Sequence, residues 1–168
     1  AHYNLGLILT NLRNLKEAEF YYRKAIKLKP DFANAHSNLG IILKDLGKFP
    51  EAYEYLSSAS KYEPNNIFYF INSNLRLSPI MDNNLQIDNE RNKYKKEINN
   101  LKNKQNMFYG DPKSFSSSIF YLPYQNRLDD RKILEDFSEA ISKSKGIIIN
   151  GFSRHKYLAI SSKRKKLK

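Results

Sequence analysis

Apolar residues return every third or fourth position through the first third of the chain. Leu5, Ile8, Leu9 and Leu12 share one side of a predicted helix, and Ala18, Tyr22, Ala25 and Ile26 share one side of a second. Asn14 and Gly47-Lys48 supply predicted turns between helices, and Pro30 and Pro64 end the second helix of each pair, because proline lacks the amide and clashes with the preceding turn. A further helix is predicted from Asn65-Asn66, stopped early by Pro79. Another runs over Leu85–Gln105, started by Asp82-Asn83-Asn84, with Ile87, Tyr94, Ile98 and Leu101 as one narrow apolar stripe. Asn106–Ser118, with Gly110, Pro112 and four serines, reads as a loop. The dense aromatic run Ile119–Asn126 follows. Asp129–Lys145 is amphipathic, with Ile133, Leu134, Phe137, Ala140 and Ile141 on one face and Gly146 as its stop. Gly146–Asn150 and Tyr157–Ile160 are short strand-like segments.

The first two helix pairs are copies of one another. Residues 1–30 and 35–64 are identical at 14 of 30 aligned positions, a period of 34. The shared skeleton is Leu5-Gly6, Leu9, Ala18, Ala25 and Pro30, then Leu39-Gly40, Leu43, Ala52, Ala59 and Pro64. Small residues at Gly6 and Ala18 let two antiparallel helices approach closely. Tyr22 and Leu56 fill the large apolar position between the alanines. One such pair cannot bury its apolar face alone, so it must stack on a neighbour and build a solenoid with a groove. With this period and these residues the unit resembles the tetratricopeptide repeat (TPR). In the third copy Ser73-Asn74 replace Leu-Gly, which reads as a degenerate half-repeat that closes the array.

Asn4, Asn38 and Asn72 recur at one repeat position. Asparagine is a poor residue inside a helix, because its side chain competes for backbone groups. Two readings stand. The three form a ladder of amides that donate to and accept from a bound peptide backbone, or they are solvated or inter-helix polar positions in an asparagine-rich chain. His2 and His36 also repeat, at a position that favours a large packing residue, and read as structural.

Charge changes the picture for the second half. The chain has 168 residues, no cysteine and a formal net charge of +12. Residues 1–64 hold 9 basic and 7 acidic side chains, whereas residues 65–168 hold 20 and 10. The faces of the Leu85–Gln105 helix outside its stripe carry Arg91, Lys93, Lys95, Lys96, Lys102 and Lys104. A nucleic-acid footprint would look like this. Asp88, Glu90 and Glu97 interrupt it, which favours a helix packed along one side with a solvated basic surface. The closing cluster Lys163–Lys168 is open to a nucleic-acid patch, a membrane-surface patch or a solvated lead-in to a strand. No stretch approaches the roughly 18 apolar residues of a membrane span. Zero cysteines exclude a disulfide framework, thiolate metal sites and a cysteine nucleophile, and fit a cytoplasmic setting. Ala1 at the start and the basic run at the end read as a piece of a longer chain.

Catalytic patterns are missing from the sequence. It has no G-x-G-x-x-G, no P-loop, no H-E-x-x-H and no G-x-S-x-G. Asp129-Asp130 reads as acids at a helix start, favoured by the dipole and the free amides. His155 lies between Arg154 and Lys156 with no partner in view. No catalytic residue and no metal site are expected, and this chain alone should catalyse nothing.

Ala-His-x-Asn-Leu-Gly, with Tyr22–Phe32, is similar to the TPR region of O-linked N-acetylglucosamine transferases. Phe120–Asn126 followed by Asp129-Asp130-Arg131 resembles a stretch between the repeats and the catalytic region of bacterial relatives. The resemblance implies an inverting protein glycosyltransferase that uses a nucleotide sugar such as UDP-GlcNAc as donor, its catalytic domain lying after Lys168. It implies no cofactor in this part of the chain. It also implies an acceptor polypeptide in the TPR groove on an asparagine ladder, to which Asn4, Asn38 and Asn72 correspond. A non-enzymatic TPR scaffold that binds peptide partners is the alternative. The expected fold is all-α: a TPR superhelical solenoid of antiparallel helix pairs, then a mixed, mainly helical connector with short strand-like segments. Two TPR units occupy residues 1–64, a degenerate half-repeat or capping helix 65–80, and the basic connector 81–168.

Overall fold

The structure, a computed structural model, describes residues 1–77, 81–103 and 130–142. These residues form seven helices and no strand: α1 (His2–Asn11), α2 (Leu15–Leu28), α3 (Ala33–Asp45), α4 (Phe49–Tyr62), α5 (Ile67–Asn74), α6 (Asn84–Asn103) and α7 (Asp130–Ser142). Consecutive helices pack on one another from α1 to α5, and α6 packs on α7. The all-α repeat fold expected from the 34-residue period is the fold observed. The loop at 106–118, the aromatic run at 119–126, Asp129 and the segments at 146–150 and 157–160 lie outside the described residues.

The two hairpins close at the small residues. A Cβ on Gly6 would meet the Tyr22 ring at 2.7 Å, and one on Gly40 would meet Leu56 Cγ at 2.6 Å. Ala18, Tyr22, Leu39, Leu43 and Ala52 are wholly covered and share one core with Leu9 and Ile42. Thr10, which takes a lysine's place in the first copy, donates to Gly6 O (2.8 Å) and meets the Tyr22 hydroxyl at 3.2 Å.

The two intra-hairpin turns need a left-handed residue at the same repeat position. Gly47 supplies it at φ 75°, but in the first copy Arg13 holds φ 61°. The Cβ of an L-residue there crowds the following carbonyl, at about 1–2 kcal/mol. Glycine's extra freedom in the unfolded chain offsets part of that. Arg13→Gly is therefore expected to stabilise the chain by about 0.5 kcal/mol, read as a higher midpoint in urea at an unchanged slope.

Asn66 caps α5, its side chain accepting from Phe68 N (3.1 Å) and Tyr69 N (3.4 Å). α5 ends at Asn74, ahead of the stop expected at Pro79. The reason is packing: Leu75 and Leu77 turn inward and are buried, which an unbroken helix would not allow. Ile67, Phe68, Phe70 and Ile71 share a second core with Tyr94, Ile98 and Leu101 of α6 and Ile133, Phe137 and Ala140 of α7.

α6 begins as its polar start signal predicts. Asn83 Oδ1 accepts from Gln86 N, and Gln86 Oε1 accepts from Asp82 N, both at 2.9 Å. One assignment on this helix is corrected. Arg91 is not on a solvated basic face. It is buried within the stripe, where the steps 87, 91, 94, 98 and 101 alternate four and three residues. Its Nη2 bonds Asp130 Oδ1 of α7 at 2.6 Å. Asp130 thus does more than favour a helix start: it carries the countercharge of a buried guanidinium. Lys102 also turns from solvent to α7, reaching Asp136 at 2.7 Å and Glu139 at 2.9 Å.

Candidate functional site

The first helix of each hairpin presents a polar strip. Helical spacing places Asn4, Leu7 and Asn11 together on α1, and Asn34, Asn38, Ile41 and Asp45 together on α3. Asn4, Asn11, Asn34 and Asp45 are exposed, and Asn38 and Ile41 are half-buried. Asp45 is the one ionisable group in these two strips, so they offer amides and aliphatic contact to a ligand and no acid–base pair.

Tyrosine–asparagine bonds join these first helices across the hairpins. The Asn38 amide nitrogen donates to Tyr3 Oη at 3.2 Å, tying α3 to α1, and Tyr3 also packs its ring against Phe32, centroids 4.7 Å apart. The Tyr69 hydroxyl donates to Asn34 Oδ1, tying α5 to α3. The Asn38 amide also bears on the Tyr22 hydroxyl, whose pKa burial pushes up while its hydrogen bonds with Thr10 and Asn38 partly offset this. With its nitrogen engaged by tyrosines, Asn38 has its carbonyl oxygen left for a ligand N–H.

The three recurring asparagines therefore stand differently. Asn4 is open, Asn38 is half-covered and held, and Asn72 is 3% exposed inside α5. The structure brings Asn4 and Asn38 to accessible surface and does not bring Asn72 there. Tyr3, which sets the Asn38 amide, was not legible as a functional residue. Its counterpart is Ser37, so repetition gives no signal. His36 packs as the pattern predicts, its ring 5.6 Å from Tyr55 and 5.3 Å from Tyr62 and its Nε2 2.8 Å from Pro30 O. His2 stacks on Tyr21.

On the second helices an ion network bridges the hairpins. Arg23 reaches Glu19 (2.7 Å), Glu51 (2.6 Å) and the Tyr55 hydroxyl (2.9 Å), and Lys48 reaches Glu19 (2.9 Å). Burial opposes ionisation of Glu19, but the hydrogen bonds from Arg23 and Lys48 outweigh it and hold the carboxyl below its ordinary range. No group of three or more His, Cys, Asp or Glu side chains able to hold a metal ion occurs among the described residues, and no described helix is long and apolar enough to cross a membrane.

Comparison with known proteins agrees with this architecture. Two family models, each described as Tetratricopeptide repeat, match residues 1–32 and residues 21–54. The first covers the α1–α2 hairpin. The second spans the α2–α3 junction, the place where one hairpin stacks on the next. No curated protein matches the chain.

Proposed function

We propose, from the tetratricopeptide repeats that residues 1–54 carry and that make this part of the chain a protein-interaction module, that α1 and α3 bind an extended segment of a partner protein. The observation that carries this reading is the pair Asn4 and Asn38, one repeat apart, the second oriented by Tyr3. An extended peptide exposes unpaired N–H and C=O groups at intervals, and it carries no information that a strip of amides must read beyond backbone spacing. Asn4 offers a donor and an acceptor. Asn38 offers its oxygen. Leu7 and Ile41 supply apolar contact beside them. Asn72, 3% exposed, is not counted among the binding residues.

Selection of a phage-displayed peptide library on the full chain supplies a ligand for the test. Asn4→Ala with Asn38→Ala is expected to weaken its binding about tenfold or more, at about 1 kcal/mol for each lost hydrogen bond, with the chain still folded but its unfolding midpoint lowered by the loss of the Asn38–Tyr3 bond. Tyr3→Phe is the control: it releases the Asn38 amide and keeps the ring, so affinity should fall less. Equal affinity of the double variant and the parent would remove the asparagines from the binding face.

A more specific form of the reading makes this the acceptor-binding part of a nucleotide-sugar-dependent protein glycosyltransferase in the cytoplasm. It is supported by the Ala-His-x-Asn-Leu-Gly repeats and by Phe120–Asn126, which lies outside the described residues. The sequence has no glycine-rich phosphate loop, and no residue of this chain is assigned to a donor sugar. The coding sequence after Lys168 tests this form. An Ile-rich strand with glycine-rich turns would support it, and an immediate stop codon would leave the peptide-binding reading alone.

A further inference from the structure

The outer face of α2 carries a row of cations around an exposed ring. Helical spacing places Lys16, Phe20, Lys24 and Lys27 in one line along the helix. All four are exposed, Phe20 at 52%. Lys24 Nζ lies 4.3 Å from the centroid of the Phe20 ring, and the Tyr21 ring stands edge-on to it, centroids 5.3 Å apart. None of the three lysines has a carboxylate partner among the described residues. Glu17, off this line, is the one exposed acid of α2. Packing does not ask for these residues. The same row on α4 reads Pro50, Glu54, Ser58 and Lys61. It too stays at the surface, Ser58 half-buried and the others exposed, with the first hairpin stacked ahead of it. The openness of the row therefore belongs to the outer side of the repeat itself, and the first copy furnishes it with three cations and a phenyl ring.

We infer that this row docks an acidic helical segment of a partner protein, with carboxylates one turn apart on either side of an apolar side chain. Charge names the class of partner, since three ammonium groups in line without a countercharge draw an anion. The molecule holds a smaller instance of the same fit. Lys102 of α6 takes Asp136 and Glu139 of α7, and Phe137 between them packs into the shared core. Two helices side by side keep such contacts in step, because both advance by about 6 Å for every four residues. A lipid surface fits less well: sinking Phe20 would carry the Lys24 ammonium on its ring toward hydrocarbon. A nucleic-acid strand is held in a charged groove with open ring faces for its bases, whereas this row is a ridge and Lys24 covers a face of its ring. The row lies on a second helix, apart from the first-helix strip that carries Asn4 and Asn38, so the two readings are tested independently.

The probe is an alanine-based helical peptide with glutamates flanking a leucine at the spacing of the row, labelled for fluorescence anisotropy, and its twin with glutamine in place of glutamate. The full chain is expected to bind the first peptide at low salt, and the twin about tenfold more weakly. Lys16→Gln, Lys24→Gln and Lys27→Gln together should weaken binding about tenfold, with helix content unchanged. Phe20→Glu, which gives the row the second copy's acid, should weaken it as well. Lys61→Gln, Lys93→Gln and Lys96→Gln remove the same charge from exposed positions elsewhere and should cost about twofold at most. The inference is overturned if the chain fails to bind the glutamate peptide, or if both triple variants lose equally. It is also overturned if an oligodeoxythymidylate or phosphatidylserine vesicles bind through the three lysines more tightly than the peptide does.

Discussion

Asp130→Ala is expected to lower the stability of the chain by about 2–3 kcal/mol, although the aspartate sits at the edge of its helix. The effect comes from what stays behind. Arg91 is almost wholly buried between α6 and α7, and Asp130 Oδ1 stands 2.6 Å from its guanidinium. Removing the carboxylate takes an ion-pair partner from a buried charge, and the cost of that exceeds what an exposed ion pair contributes. The range is set toward the lower end because Asp130 keeps about a quarter of its side chain in solvent. Asp130→Asn keeps an acceptor and should cost less. The double variant Arg91→Met with Asp130→Ala removes both charges and should recover most of the loss. Urea unfolding of the four proteins checks this. A double variant as unstable as the single one would show that the pair contributes through packing and not through charge.

Gly40→Ala should cost about 2 kcal/mol, even though alanine is the better helix former by about 1 kcal/mol. Its Cβ would lie 2.6 Å from Leu56 Cγ, 2.8 Å from Leu56 Cδ2 and 3.0 Å from the Ala52 carbonyl oxygen. Leu56 could turn only at its branch point, and the Ala52 backbone is fixed in α4. For Gly6→Ala the three atoms nearest the new Cβ are all ring atoms of Tyr22, at 2.7–3.1 Å. It should therefore cost less than its counterpart. Denaturant midpoints for both variants give the comparison. Equal losses would mean that the α3–α4 contact is no stiffer than the α1–α2 contact.

Most of the repeat architecture was legible because each hairpin is written twice. A leucine, a glycine and two alanines at matched spacing report helix faces and close approach together, and α1 to α4 follow from them. The start of α6 was legible from its asparagines and Gln86. Arg91 was not, because residue type and position conflict: spacing puts it on the buried stripe, while its charge argues for solvent. Only the presence of Asp130 across from it, 39 residues along the chain, resolves the conflict. The end of α5 was misplaced for a similar reason. Pro79 is a local stop signal, but Leu75 and Leu77 leave the helix earlier to reach a core that α6 and α7 complete. At the candidate site, repetition singled out Asn4, Asn38 and Asn72 equally. Their different exposure depends on surroundings that do not repeat: Tyr3 bonds Asn38, and Asn72 lies in a helix buried from Ile67 to Asn72.

α5 has one more consequence. It is eight residues long, and Ile67 to Asn72 are all buried. A helix this short has no standing of its own in water. One side of it belongs to the core that ends the repeats, through Tyr69 with Ala33 and Ala59, and the other to the core of α6 and α7. Neither block can lose its shape without uncovering residues on which the other depends. The two halves of the described chain, so different in charge, are thereby linked through α5: a lesion at Arg91 should loosen the repeats, and a partner bound as proposed on α1 and α3 should steady α6 and α7.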